Sequence, residues 1–207
     1  MKTIIKTITI ASTVLLSSIS CSFKTKPESF KDGDIIFHTS KSQQSKMLKS
    51  ATGSNLTHVG VIFYKNGLPY VIEAVQPVKV TSLNSFINRG ENAKYKVMRY
   101  ETELTNEDKN KMISWGKKQL GKPYDIKFQW GDNTMYCSEL VWKMYKNAGI
   151  ELCETKKFSD FNLTNEKVRQ AIKSRFKNKN EFSLNEVVVA PVDIYNSDKL
   201  NLIYSNF

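Results

Sequence analysis

Two runs rich in β-branched and aromatic residues, Thr57 to Tyr64 and Pro69 to Val75, flank the segment Lys65-Asn66-Gly67-Leu68. No other feature restricts the fold as tightly, because Asn-Gly between such runs specifies a two-residue hairpin loop whose twist matches that of the strands. With that loop Lys65 faces Leu68, and Gly60 faces Glu73. His58 lies two places from Gly60 on the same face. Glu73 therefore falls diagonally beside His58, at roughly 7–8 Å between backbones and within reach of the two side chains. A three-residue loop with a bulge would slip the register by one and turn the carboxylate to the other face.

The flanking segments extend this into an α+β pattern. Asp32-Gly33-Asp34 is a turn signal ahead of Ile35-Ile36-Phe37-His38, which has the character of a buried strand. Met47, Leu48 and Ala51 are spaced for one face of a short helix within residues 40–55. Val78 to Val80 and Tyr95 to Tyr100 read as further strands, with a helical turn at Leu83, Phe86 and Ile87 between them. Thr105 with Asp108 resembles a helix N-cap, and Gly121 closes that helix. A second helix runs from Cys137 to Ala148 with Leu140, Val141, Met144 and Tyr145 on one face and Gly149 as its stop. A polar helical stretch over 165–176 precedes Val187 to Ala190, read as the last strand and ended by Pro191. Asp34 reads as a turn-fixing carboxylate, and Trp130 and Trp142 as core.

The chain has 207 residues, enough for one domain with a real core, and a composition (40% hydrophobic, 25% charged) typical of a globular protein. Lys2, Lys6 and the apolar run Ile8 to Leu16 read as an export signal too short to span a bilayer. Cys21 after small residues resembles a bacterial lipoprotein processing site, although Ser18 stands where that pattern has Leu; the alternative is an ordinary secretory signal cut nearby. The expected organisation is a signal peptide over 1–20, a Lys/Ser/Pro tether over 21–30 and a catalytic domain over 31–207. The net charge of +11 is mostly lysine. Without an arginine cluster or a nucleic-acid motif, it suits anionic lipid headgroups or cell-wall carboxylates and argues against nucleic acid as partner.

If Cys21 carries lipid, two of the three cysteines remain. A helix beginning at Cys137 carries its far end about 18 Å away at ~1.5 Å per residue, so a bridge to Cys153 needs a sharp return, and two free thiols are expected. A thiol is a useful nucleophile only as thiolate, which needs a neighbouring imidazolium or a helix N-terminus. Cys137 at a helix start has the second, and its unpaired N–H groups would also stabilise an oxyanion. The chain has two histidines. His58, with Glu73 to fix its tautomer, completes the logic of a triad; His38 is the competing base, without an evident acid partner. His and Cys are scattered without metal-ligand spacing, and no metal or other cofactor is expected.

Gly33-Asp34-Ile35-Ile36-Phe37 followed by Thr57-His58-Val59-Gly60-Val61 resembles the strand pair of the NlpC-type cell-wall peptidases. In those enzymes the cysteine helix precedes the histidine, whereas here Tyr136-Cys137-Ser138-Glu139-Leu140-Val141-Trp142 follows it. That order is similar to the circularly permuted branch, which includes the YiiX-like proteins and, more distantly, lecithin retinol acyltransferase. Gly121-Lys122-Pro123-Tyr124-Asp125, and Glu73-Ala74 followed by Pro77-Val78-Lys79-Val80, resemble the YiiX-like pattern as well. The resemblance covers residues 31–198. It implies a permuted papain-like α+β fold with the cysteine helix packed on a small antiparallel sheet or half-barrel, Cys137 as nucleophile, His58 as base and Glu73 as the orienting residue. Tyr124, Tyr136 and Ser138 would line the pocket or assist the oxyanion. The expected activity is cysteine-dependent hydrolysis of an amide or ester in the cell envelope, with a peptidoglycan peptide as first substrate. The alternatives are lipid acyl hydrolysis or acyl transfer, and a non-catalytic module that binds a peptide or lipid.

Overall fold

The computed structural model describes residues 30–176, 178 and 181–207. The export signal, the tether residues 21–29 and Cys21 lie outside the described residues. Β-branched and aromatic runs form a six-stranded antiparallel sheet in the order β4-β3-β2-β1-β5-β8. Its strands are β1 (Ile35–Ser40), β2 (His58–Lys65), β3 (Leu68–Glu73), β4 (Lys79–Ser82), β5 (Gly90–Tyr100) and β8 (Leu200–Ser205). The β2–β3 hairpin has the two-residue loop, with Lys65 opposite Leu68 and Val61 opposite Ile72. Asn66 and Gly67 both have positive φ, 53° and 75°, as this turn demands.

Alternation along the strands separates two cores. Val59, Val61 and Phe63 of β2 join Phe37, Ile72 and the apolar stripe of α4 (Cys137–Asn147), while Ile62 joins Ile36, Val71 and Phe86 beneath α2 (Leu83–Arg89). The helix α3 (Asn106–Lys118) packs beside α4 and is opened by the Thr105/Asp108 capping box. Gly60 allows the hairpin to close: a Cβ there would sit 2.5 Å from Val71 Cγ1 and 2.9 Å from the Ile72 carbonyl oxygen. Any larger residue would push β3, and Glu73 with it, away from β2.

Three sequence expectations change. Val187 to Ala190 is not the last strand: only β7 (Val187–Val188) pairs, with β6 (Lys156–Lys157). Pro191 opens the short helix α6 (Pro191–Tyr195), whose first turn has no use for the N–H that proline lacks. The last strand is β8, at the edge of the main sheet beside β5. The strand expected from Tyr95 begins five residues earlier, at Gly90. Phe30, assigned to the tether, is buried against Tyr95 and Tyr204.

Candidate active site

His58 is the first residue of β2 and Glu73 the last of β3, so the hairpin brings them together at its open end. The His58 Nε2 to Glu73 Oε2 distance is 2.7 Å. Glu73 is wholly buried, and both its oxygens are used: Thr81 of β4 donates to Oε1 at 2.5 Å, and Arg89 at the end of α2 donates to Oε2 at 2.5 Å. Burial alone would raise this carboxyl, but the bonds and charges of His58 and Arg89 bring it down to about 2. Nε2 being taken, Nδ1 of His58 is left for Cys137.

Cys137 opens α4, which packs on β2, and its thiol meets the His58 imidazole. Burial opposes the thiolate, yet the hydrogen bond and charge of His58, with further bonds from Tyr124 and the Val59 backbone, lower the thiol below its ordinary range. Burial also opposes the imidazolium, but its bonds to Cys137 and Glu73 raise His58 to about 9. Each partner favours the charged form of the other, which biases the pair toward thiolate and imidazolium. Cys153 is a free thiol like Cys137, and burial pushes it up to about 12.

The remaining expected site residues divide. The Tyr124 hydroxyl faces the sulfur and accepts a hydrogen bond from Gln44 Nε2 at 2.7 Å. Tyr136 is buried, its hydroxyl oxygen accepts the Val189 N–H at 3.2 Å, and the residue forms part of the pocket wall. The Ser138 hydroxyl donates to the Val189 carbonyl at 2.7 Å and pins α4 to the segment after β7, beside the cavity that reaches Cys137. Asp34 accepts the Lys31 N–H at 2.8 Å and pairs with Arg99 at 2.7 Å, a structural role. Trp130 and Trp142 pack edge to face and are only partly buried.

His38 pairs with His58 across β1 and β2, with ring centroids 5.0 Å apart, and both rings lie against Phe86. It is buried, and neither of its ring nitrogens has a partner among the described residues. Burial and the charge of His58 lower it to about 3. It is therefore neutral at neutral pH and a weak base. The unfolded chain protonates this ring near 6.5, whereas the folded chain resists down to about 3. Protons then favour unfolding as pH falls through that window, by about 3 kcal/mol at pH 4. Glu73 holds its charge to about 2, so its own contribution is present above 4.5 and lost only as pH falls through about 2. Glu139, raised to about 7 by burial, and His58, raised to about 9, shift stability the opposite way over the same window, so the loss is read as a difference: from pH 7 to pH 4, urea unfolding should show His38→Phe gaining about 3 kcal/mol relative to wild type.

Arg89, Thr81 and Gln44 escaped the sequence reading. Thr81 had a weak signal: Glu73 pairs with Lys79, so Thr81 lies two places along on the same face. Arg89 and Gln44 reach the site from helices whose placement no local pattern reveals.

An antiparallel α+β fold that presents a helix-start cysteine to a strand-start histidine, with the cysteine later in the chain, is that of a permuted papain-like cysteine hydrolase. Residues 29–204 match the model of the permuted papain-like amidase enzymes, YaeF/YiiX, C92 family, and the chain belongs to that family. It is 42% identical over 172 residues to the uncharacterized protein YiiX of Escherichia coli strain K12, covering 83% of this chain and 84% of the relative. A crystal structure of YiiX from Escherichia coli O157:H7 superposes with a TM-score of 0.81 at 41% identity, covering 86% of this chain and 98% of that one. That protein is described as a metalloprotein. Among the described residues here, no group of three or more His, Cys, Asp or Glu side chains is placed to hold a metal. Glu73 is already committed to His58, Thr81 and Arg89, and the donor set does not fit a metal centre.

Proposed function

We propose that this chain hydrolyses an amide bond through an acyl-enzyme on Cys137, with His58 as general base and acid and Glu73 as its orienting partner. The observation that carries the reading is the continuous Cys137–His58–Glu73 contact, in which a buried carboxylate fixes the imidazole that lowers the thiol. The thiolate attacks the carbonyl carbon and forms the C–S bond. The oxyanion takes hydrogen bonds from the Tyr124 hydroxyl and the first N–H groups of α4. As the C–N bond breaks, the imidazolium gives its Nδ1 proton to the departing amine. Neutral His58 then deprotonates a water, which attacks the thioester, releases the acid and restores the thiolate–imidazolium pair.

Two substrate classes suit this machinery. A cell-wall peptide follows from the resemblance to the NlpC-type enzymes. An acyl chain is favoured by an apolar-walled cavity that opens to the surface and reaches Cys137. Its wall is apolar nearly throughout and includes Met47 and Leu48 of α1 (Gln43–Thr52), Val168 and Ile172 of α5 (Glu166–Arg175), and Phe158 and Phe182. A stem peptide would bury its amides and carboxylates there with few partners, at a cost of about 1–3 kcal/mol per group. A separate, more polar groove runs from His58 past Gln76 and Tyr124 and suits the leaving amine.

The test incubates wild type and Cys137→Ala with N-lauroylglycinamide and with purified peptidoglycan fragments. Laurate released by the wild type alone supports the acyl reading. New peptide termini made by the wild type alone return the peptide as substrate, and no Cys137-dependent product from either leaves a binding module. Export and anchoring through acylated Cys21 belong to the same proposal; palmitate labelling that survives Cys21→Ser would remove the anchor.

A further inference from the structure

The Tyr124 hydroxyl has one proton and two acceptor positions, and it donates at the sulfur only if its proton is turned that way. Gln44 lies in the first turn of α1, half-buried at the edge of the polar groove. Its amide Nε2 donates to the Tyr124 oxygen at 2.7 Å and fills an acceptor position with a donor. The orientation of that amide has its own cause. Arg175, at the end of α5, reaches Gln44 Oε1 at 3.5 Å, and a guanidinium can only donate. The carbonyl end of the amide must therefore face Arg175 and the NH₂ end Tyr124. The four groups form a chain in which every bond donates toward the sulfur: Arg175 to Gln44, Gln44 to Tyr124, Tyr124 to Cys137. The phenol itself stays protonated, because burial and the charge at Cys137 raise it well above its ordinary value.

We infer that Gln44 is a positioning residue that holds the Tyr124 hydroxyl as a donor to the Cys137 sulfur and then to the oxyanion that forms beside it. The inference rests on the catalytic reading of Cys137 and adds to it the origin of the donor's direction. The titratable and charged groups around the sulfur are His58 with Glu73, Arg89 and His38 behind it, Tyr124 before α4, Glu139 with Lys143 inside α4, and Arg175 on α5. Gln44→Leu changes the charge of none of them, so a change in thiol titration would report the hydrogen-bond chain.

The experiment measures iodoacetamide alkylation of Cys137 against pH in wild type, Gln44→Leu, Tyr124→Phe and the double variant, with urea unfolding as the folding control. Tyr124→Phe should move the midpoint of the profile upward. Gln44→Leu should move it in the same direction, and in the Tyr124→Phe background it should add nothing, since both act through one proton. Gln44→Glu keeps the size of the side chain and reverses its polarity: the carboxylate draws the phenol proton away from the sulfur, and the part of the resulting rise in midpoint that Tyr124→Phe abolishes reports this, the remainder being the charge of the carboxylate itself. This variant decides the matter should the leucine variant not fold. A wild-type midpoint in Gln44→Leu, a Gln44→Glu rise that Tyr124→Phe leaves undiminished, or a Gln44→Leu shift that adds in full to that of Tyr124→Phe, would overturn the inference while leaving Cys137 and His58 in their roles. Failure of Cys137 to outpace Cys153 in the wild type would overturn both.

Discussion

Replacing His58 with alanine is expected to slow iodoacetamide alkylation of Cys137 at pH 6.5 by about tenfold, because the loss of thiolate is partly offset by the greater intrinsic reactivity of a more basic thiolate. Without the imidazolium the thiol returns to or above the free value near 8.5, which leaves about 1% thiolate at that pH. Burial of the sulfur acts in the same direction. Peptide mass spectrometry after a timed pulse measures the rate, and Cys153 in the same sample controls for reagent and unfolding. Amide hydrolysis should fall at least as far, because the variant also lacks the acid that protonates the leaving amine. A rate within twofold of wild type would mean that the helix N-terminus alone activates the sulfur.

The second large effect is on stability. Glu73→Ala should destabilise the fold by about 3 kcal/mol, at the low end for a broken buried pair because Arg89 is partly open to solvent. The substitution leaves the His58 and Arg89 cations facing each other across an empty site, and Thr81 without its acceptor. Against a total stability of about 5–15 kcal/mol the loss is large and should appear as a lower urea midpoint with an unchanged slope. Glu73→Gln keeps the volume and one acceptor oxygen for Thr81 or Arg89, and should recover part of it. Equal stability of wild type and both variants would show that Glu73 serves only to orient His58.

The contrast between Glu73 and Gln44 shows where sequence reading works at this site. Glu73 was legible because one turn determines its neighbour: once Asn66 and Gly67 make a two-residue loop, alternation and register carry the carboxylate to His58 without knowledge of the rest of the fold. The cysteine helix was legible for a similar reason, since the stripe from Cys137 through Leu140, Val141 and Met144 fixes which side faces the sheet, and Gly149 fixes the end. Gln44, Arg89 and Arg175 approach from helices whose docking depends on tertiary packing, and nothing in their own segments marks these three side chains out. Pro191 misled because proline ends a strand and starts a helix equally well, and only the pairing of β8 with β5 decides between them. The cavity was invisible for the same reason as Gln44: Met47, Leu48 and Ala51 formed a recognisable apolar face, but the sequence does not say that this face covers a space rather than a core.

The proposed chemistry and the direction of the hydrogen bonds around it depend on one charged pair, a thiolate at Cys137 held by an imidazolium at His58. The most direct measurement is the pH profile of alkylation at Cys137 in the otherwise unmodified chain, with Cys153 as internal reference. The pair predicts that Cys137 reacts at half its maximal rate below the ordinary thiol range, while Cys153, raised to about 12 by burial, reacts only in strong alkali. Two superimposed profiles, or a Cys137 profile that rises only with that of a free thiol, would contradict it.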